Sequence, residues 1–104
     1  MSLSTHVLDT ARGRPAAGVR VRLSRVPDGA VLAEGETDGD GRLRLPDAAT
    51  EKGVYRLTFD TGAYLGPDAF FPEVAVVFTV ADPAEHHHVP LLLSPFGYST
   101  YRGS

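Results

Sequence analysis

Histidines are the residues of this chain whose type and spacing could do chemistry. All four fall in two places: His6 lies near the amino terminus, and the triplet 86–88 lies near the carboxy terminus. Successive side chains of a strand alternate between its two faces, so His86 and His88 share one face and His87 points to the other. An imidazole can bind a metal ion or accept a proton near neutral pH. The same run is also compatible with a solvated strand end that has no chemical role.

Two chemical interpretations of these histidines are open. In the first, His86 and His88 join His6 in a three-imidazole metal site with an open fourth position, as in some zinc enzymes that activate water. No carboxylate motif reinforces that interpretation. In the second, a neutral imidazole takes a proton directly from water, and a neighbouring arginine or second imidazole stabilises the oxyanion. Residue types and spacing alone do not choose between the two.

Two further segments carry groups that could act with the histidines. Arg42 follows the turn sequence DGDG, whose glycines let the backbone turn tightly and present the next side chain at the start of a strand. On local evidence, this arginine is also compatible with an ordinary hairpin in which its side chain is solvated. Residues 98–104 carry aromatic, hydroxyl, arginine and terminal carboxylate groups, although chain termini normally fray.

Length and composition exclude several classes of function. A chain of 104 residues with 42% hydrophobic content predicts one domain over residues 1–104. So small a domain has no room for a deep internal cavity beside its core, so we expect a surface cleft or a subunit interface. The formal charge is −3 and the arginines are spread along the chain, which predicts no nucleic-acid partner. Zero cysteines exclude disulfides, thiolate nucleophiles and cysteine metal sites.

Targeting signals are also missing from the sequence. The amino terminus has no basic segment followed by an apolar stretch, so it does not resemble a signal peptide. No window of about 18 consecutive apolar residues exists to span a membrane. We therefore expect a soluble, cytoplasmic protein with no membrane partner.

Period-two alternation predicts the elements that must position these groups. Residues 19–24 and 54–60 alternate apolar and polar side chains, as half-buried antiparallel strands do. The run 74–80 is apolar on both sides and predicts a central strand covered on both faces, in a sandwich or an assembly. One short helical turn is expected at 61–65. Turn signals between these runs predict an all-β sandwich of two four-stranded sheets, with strands near residues 3–9, 19–25, 31–37, 42–45, 54–60, 73–80, 86–93 and 97–102.

Motifs at both ends of the chain resemble those of a known family, the 5-hydroxyisourate hydrolases, also called transthyretin-like proteins. STHVLDTARGRPAAGVRVRL is similar to the family's amino-terminal signature, and HHHVPLLLSPFGYSTYRGS is similar to its carboxy-terminal one. Between them, TDGDGRLRL, GVYRLTFDTGAYL and FFPEVAVVFTVAD follow the family order, so the resemblance covers essentially the whole chain. The middle motifs also resemble non-catalytic prealbumin-like sandwiches, so the terminal motifs distinguish the enzyme from those modules.

The resemblance implies a prealbumin/transthyretin-like sandwich with hydrolase activity. The implied reaction opens the ring of 5-hydroxyisourate to give 2-oxo-4-hydroxy-4-carboxy-5-ureidoimidazoline, on the route from urate to allantoin. A homotetramer with sites at the dimer–dimer interface is implied, with no cofactor and no metal. Hormone-carrying transthyretins lack the YRGS ending and the histidine and arginine set, which disfavours a carrier role. The alternative is a non-catalytic prealbumin-like binding or structural module.

Site residues are carried over from the family by motif. The implied catalytic residues are His6, Arg42, His88 and Ser104. The implied substrate-binding residues are Arg42, Tyr101, Arg102 and Ser104. We expect Arg42 to hold and polarise the substrate while His6 and His88 converge on the attacking water. The family commonly has tyrosine where this chain has His87, whose side chain we expect to point away from the site. Which histidine is the base stays open, as does the choice between the Ser104 hydroxyl and terminal carboxylate.

Overall fold

The computed structural model describes residues 2–26, 28–46 and 51–104. Within these ranges the chain folds as a β-sandwich of two sheets with one short helix. No helix in the described part of the chain is long and apolar enough to cross a membrane. The elements are β1 (Leu3–Asp9), β2 (Arg14–Pro15), β3 (Arg20–Val26), β4 (Val31–Glu36), β5 (Arg42–Leu45), β6 (Gly53–Phe59), α1 (Thr61–Leu65), β7 (Val74–Val80), β8 (His87–His88), β9 (Leu91–Ser94) and β10 (Gly97–Thr100).

Strand β1 is the centre of the larger sheet. On one side it pairs antiparallel with β5 and β2, and on the other it pairs in parallel with β8 and β9. Strand β10 pairs antiparallel with β9. The other sheet is antiparallel throughout, in the order β4-β3-β6-β7. The predicted two-sheet sandwich is confirmed, but one sheet contains six strand segments where four were expected.

The predicted strand 86–93 is divided at Pro90. Its parallel pairing with β1 keeps one register on both sides of the break, since Leu3 pairs with His87 and Val7 with Leu91. Proline has no backbone N–H to donate to the ladder, so pairing is interrupted there. The Thr5 hydroxyl donates instead to the Val89 carbonyl at 2.6 Å. The remaining extra segment is the two-residue strand β2.

Burial confirms the predicted apolar faces of β3 and β6, although Ser24 and Thr58, which were predicted on the polar faces, are buried as well. Val21 and Leu23 are buried while Arg22 between them is exposed, and Leu57 is fully buried in β6. Strand β7 differs from its prediction. It is the edge strand of its sheet, and Val77 is 54% exposed, so within one chain only one of its faces is covered.

The predicted helical turn at 61–65 is confirmed as α1. The Asp60 carboxylate caps it by accepting from the Ala63 N–H at 3.2 Å. Tyr64 in this helix donates its hydroxyl to the buried carboxylate of Asp9 at 2.8 Å. The helix therefore anchors the end of the central strand β1.

Candidate active site

Strand pairing brings His6 and Arg42 together. The two residues are directly opposite each other in the antiparallel pair of β1 and β5. Directly opposed residues have Cβ atoms about 4.5–5.5 Å apart and share one face of the sheet. His6 is half-buried and Arg42 is exposed, so the guanidinium lies on the open side of this pair.

The DGDG turn determines where β5 begins. The Asp38 carboxylate accepts from the backbone N–H groups of Arg42 at 3.0 Å and Asp40 at 2.9 Å. These bonds, the one from Arg42 first, lower the pKa of Asp38 because they stabilise its charged form. Gly41 has φ +75°, and a Cβ there would lie 2.4 Å from the Val7 carbonyl oxygen. Only glycine fits that turn, which presents Arg42 beside His6.

The same turn orients the His6 ring. His6 Nε2 lies 2.8 Å from the Asp40 carbonyl oxygen. A carbonyl oxygen can only accept, so Nε2 carries the proton and donates it. The neutral ring therefore keeps its lone pair on Nδ1, which is the nitrogen of His6 that can accept a proton.

His88 reaches the same face from the other side of β1. The parallel register places it beside Ser4, whose Oγ is hydrogen-bonded to His88 Nδ1 at 2.7 Å. Ser4 Oγ also bonds His86 Nε2 at 2.9 Å. His87 points into the core, where it is only 5% exposed and donates from Nδ1 to the Glu85 carbonyl. The alternation predicted for the triplet is confirmed.

Electrostatics links His88 to the other two groups. Burial lowers the pKa of His88 below its ordinary 6.5, and the positive charge of Arg42 lowers it further. His86 and His6 act in the same direction, while the Ser4 carbonyl opposes the decrease. His88 therefore stays neutral, and able to accept a proton, at lower pH than an ordinary histidine.

The carboxy-terminal segment packs against His88. The Gly103 N–H donates to the His88 carbonyl at 2.8 Å, and the Arg102 guanidinium pairs with Glu85 at 3.0 Å. A Cβ at Gly103 would lie 2.4 Å from His88 Cδ2, so the segment lies directly on the imidazole. These contacts hold the terminus in place. Ser104 follows on the exposed surface, where no hydrogen bond to another described residue joins it to the histidines or Arg42.

The other two residues expected to bind substrate line a groove beside His88. Tyr101 and Arg102 form a wall of this groove, which has a volume of about 320 Å³ and is also lined by Val77 of β7. Tyr101 is 57% exposed. The groove is open to solvent, as the length of the chain leads one to expect.

Metal ligation is the interpretation that the geometry does not support. Within residues 2–26, 28–46 and 51–104, no three histidine or carboxylate side chains are grouped to hold a metal ion. His6 is turned to the Asp40 carbonyl, whereas His86 and His88 are joined through Ser4. The three-imidazole site is therefore not assembled.

Residues that the sequence interpretation did not single out also contribute to this surface. Ser4 contacts two of the histidines, and Gly103 provides the space that the His88 ring occupies. The period-two pattern carried a signal for Ser4, because it precedes His6 by two positions and so shares its face. No local signal indicated the role of Gly103.

Comparison with known families assigns the chain to one of them. Residues 3–103 match the family described as HIUase/Transthyretin. The chain belongs to this family. Its members share the sandwich but carry names that differ in function, as individual relatives illustrate.

One relative is the 5-hydroxyisourate hydrolase of Salmonella dublin, 49% identical over 98% of this chain and 80% of that protein. Among solved structures, the 5-hydroxyisourate hydrolase of Klebsiella pneumoniae is 42% identical with a TM-score of 0.88, and both chains are fully covered. Sea bream transthyretin in complex with thyroxine is 37% identical with a TM-score of 0.81, over 97% of this chain and 93% of that one. Fold alone therefore does not separate these functions, and the side chains of the site must.

Proposed function

We propose that this chain is a 5-hydroxyisourate hydrolase. Its reaction opens the ring of 5-hydroxyisourate to 2-oxo-4-hydroxy-4-carboxy-5-ureidoimidazoline during the degradation of urate to allantoin. The observation that carries the proposal is the convergence of His6, Arg42 and His88 on one face of one sheet. That set combines proton acceptors with a cation for developing negative charge, which hydrolysis of a cyclic amide requires.

The proton transfers follow from the nitrogens left free by the local hydrogen bonds. One neutral imidazole accepts a proton from water as the water oxygen bonds to the substrate carbonyl carbon. The guanidinium of Arg42 stabilises the resulting oxyanion. The carbon–nitrogen bond of the ring then breaks, and an imidazolium returns a proton to the departing nitrogen. No covalent intermediate with the enzyme forms.

The carboxy-terminal segment that lines the groove binds and orients the substrate in this proposal. We assign Tyr101, Arg102 and Ser104 to this role together with Arg42. The Arg102–Glu85 ion pair and the Gly103 contact with His88 support this assignment, since they hold the wall beside the imidazole.

A homotetramer would complete the site. In one chain Arg42 and Ser104 are exposed, and Tyr101 is 57% exposed. Small-molecule sites usually bury most of their ligand, so a second copy covering this face would exclude water. We propose that the active sites lie at the interface between two dimers and that the enzyme is cytoplasmic.

The experiment that tests the function generates 5-hydroxyisourate from urate with urate oxidase and follows its ultraviolet decay. The wild-type chain accelerates the decay, and Arg42→Ala lowers kcat by about 10²–10³-fold, as loss of an oxyanion donor does. Arg56→Ala, in the other sheet, is the matched control and keeps its activity. No acceleration by the wild-type chain would favour the non-catalytic binding module.

A further inference from the structure

The hydroxyl of Ser4 lies between two imidazoles. Its oxygen is 2.7 Å from His88 Nδ1 and 2.9 Å from His86 Nε2. His86 is in turn hydrogen-bonded through Nδ1 to the hydroxyl of Ser2. A continuous chain of hydrogen bonds therefore runs from the half-buried His88 to the exposed His86 and on to Ser2.

Counting protons links the two histidines. A serine hydroxyl has one proton to donate, and a neutral imidazole has one donor nitrogen and one acceptor nitrogen. If Ser4 donates to His86, it must accept from His88, whose Nδ1 then carries the proton and whose Nε2 keeps the lone pair. If Ser4 donates to His88, the positions are reversed. The tautomer of His88 thus depends on the acceptor that His86 offers to Ser4.

The ring nitrogen left free on His88 selects the first arrangement for a proton acceptor. Nδ1 of His88 faces Ser4 Oγ in either arrangement, whereas Nε2 has no hydrogen-bond partner among the described residues. Nε2 can therefore accept a proton from water only when Nδ1 carries the hydrogen of the neutral ring. At the other end, the Ser2 hydroxyl can accept from Nδ1 of His86, so every group in this series of hydrogen bonds is satisfied.

We propose that Ser4 and His86 are positioning residues that hold neutral His88 as its Nδ1–H tautomer, with Nε2 free to accept the proton of water. This inference rests on the proposed function in that it makes His88 the proton acceptor of the hydrolysis. Base catalysts commonly have a carboxylate as the orienting partner. Here a neutral hydroxyl takes that place, and His86 acts through it.

The tautomer of His88 is measurable without substrate. Long-range ¹H–¹⁵N spectra of the labelled protein, at a pH where the imidazoles are neutral, distinguish protonated from unprotonated ring nitrogens. In the wild type we expect a protonated Nδ1 and an unprotonated Nε2. In Ser4→Ala and His86→Leu we expect a mixture of tautomers. His86→Gln restores the wild-type pattern, because its amide oxygen can accept from Ser4.

Ser99→Ala is the matched control, since Ser99 is an exposed serine of β10 whose side chain makes none of these hydrogen bonds. Its spectrum stays that of the wild type. An Nε2–H tautomer in the wild type would overturn the proposal, as would an unchanged His88 in a folded Ser4→Ala variant. His86 is exposed, so the pair His86→Leu and His86→Gln decides the question even if Ser4→Ala fails to fold.

Steady-state kinetics provide a second readout. Loss of an orienting partner lowers kcat by roughly 10–100-fold, within the range of a general base's own contribution, and leaves KM unchanged. We expect this of Ser4→Ala and His86→Leu, with most of kcat recovered in His86→Gln. A raised KM at unchanged kcat would contradict the positioning role. If the wild type does not hydrolyse the substrate, the proposed function fails, while the spectra still decide the tautomer.

Discussion

Gly103 lies directly against the ring of His88, and this contact makes Gly103→Ala an informative perturbation. The added Cβ would lie 2.4 Å from His88 Cδ2 and 3.3 Å from Pro90 Cγ. The optimal van der Waals separation of two nonbonded carbon atoms is about 3.5–4.0 Å, so the ring or the terminal segment must move by about 1 Å. The φ of Gly103 is outside the left-handed region, so the effect comes from this contact and not from backbone strain.

Either movement disturbs the proposed site. If the ring moves, His88 leaves its position beside Ser4, and if the terminus moves, the hydrogen bond from Gly103 N–H to the His88 carbonyl is lost together with the placement of Ser104. A misplacement of about 1 Å can cost on the order of 10²-fold in rate. We expect Gly103→Ala to lower kcat for 5-hydroxyisourate by about that factor. The thermal unfolding midpoint should change little, because Gly103 lies outside the named strands and pairs with His88 through one isolated bridge.

Gly97→Ala is the matched control. A Cβ at Gly97 would meet only Ser94 Oγ, at an ordinary 3.7 Å, and its φ is likewise outside the left-handed region. The control therefore keeps wild-type turnover in the same ultraviolet decay assay. Wild-type kcat in Gly103→Ala would refute the argument that this close contact positions His88.

Two further predictions concern pH and the turn before β5. Because the pKa of His88 is lowered, the neutral base persists below 6.5, and the acid limb of kcat/KM lies below that value. At pH values between the lowered pKa of folded His88 and 6.5, the unfolded chain binds more protons than the folded chain. The free energy of unfolding therefore falls as pH drops below about 6.5. Gly41→Ala puts a side chain at φ +75° against the Val7 carbonyl, lowering the free energy of unfolding by roughly 1–3 kcal/mol. It also lowers kcat, since Arg42 follows directly.

The pH prediction is tested by following the titration of His88 by NMR. A midpoint above 6.5 would contradict the roles assigned to burial and Arg42. For the turn, Gly39→Ala is the control, because its Cβ would meet no atom within 4 Å. Equal denaturant midpoints for the Gly41 and Gly39 variants would show that the close contact at Val7 does not matter.

Local patterns in the sequence determined the faces of the elements. Period-two alternation placed His86 and His88 on one face and His87 on the other, and it separated the buried aliphatic side chains of β3 from the exposed Arg20 and Arg22. The short helix at 61–65 was predictable because Asp60 can cap it. Such features depend on backbone geometry within a few residues, so they can be read from neighbouring residues alone.

Tertiary structure alone decided which faces meet. The register that sets His6 opposite Arg42 and Ser4 beside His88 joins segments far apart in the chain, and no local preference specifies it. For the same reason the sequence did not place β7 at a sheet edge. Register follows from the burial of whole strands, because a slip by one residue would turn every side chain of a strand to the opposite face. The residue types of the site could thus be predicted from the sequence. The hydrogen bonds that orient His6 and His88 form only when β1 pairs with β5 and β8.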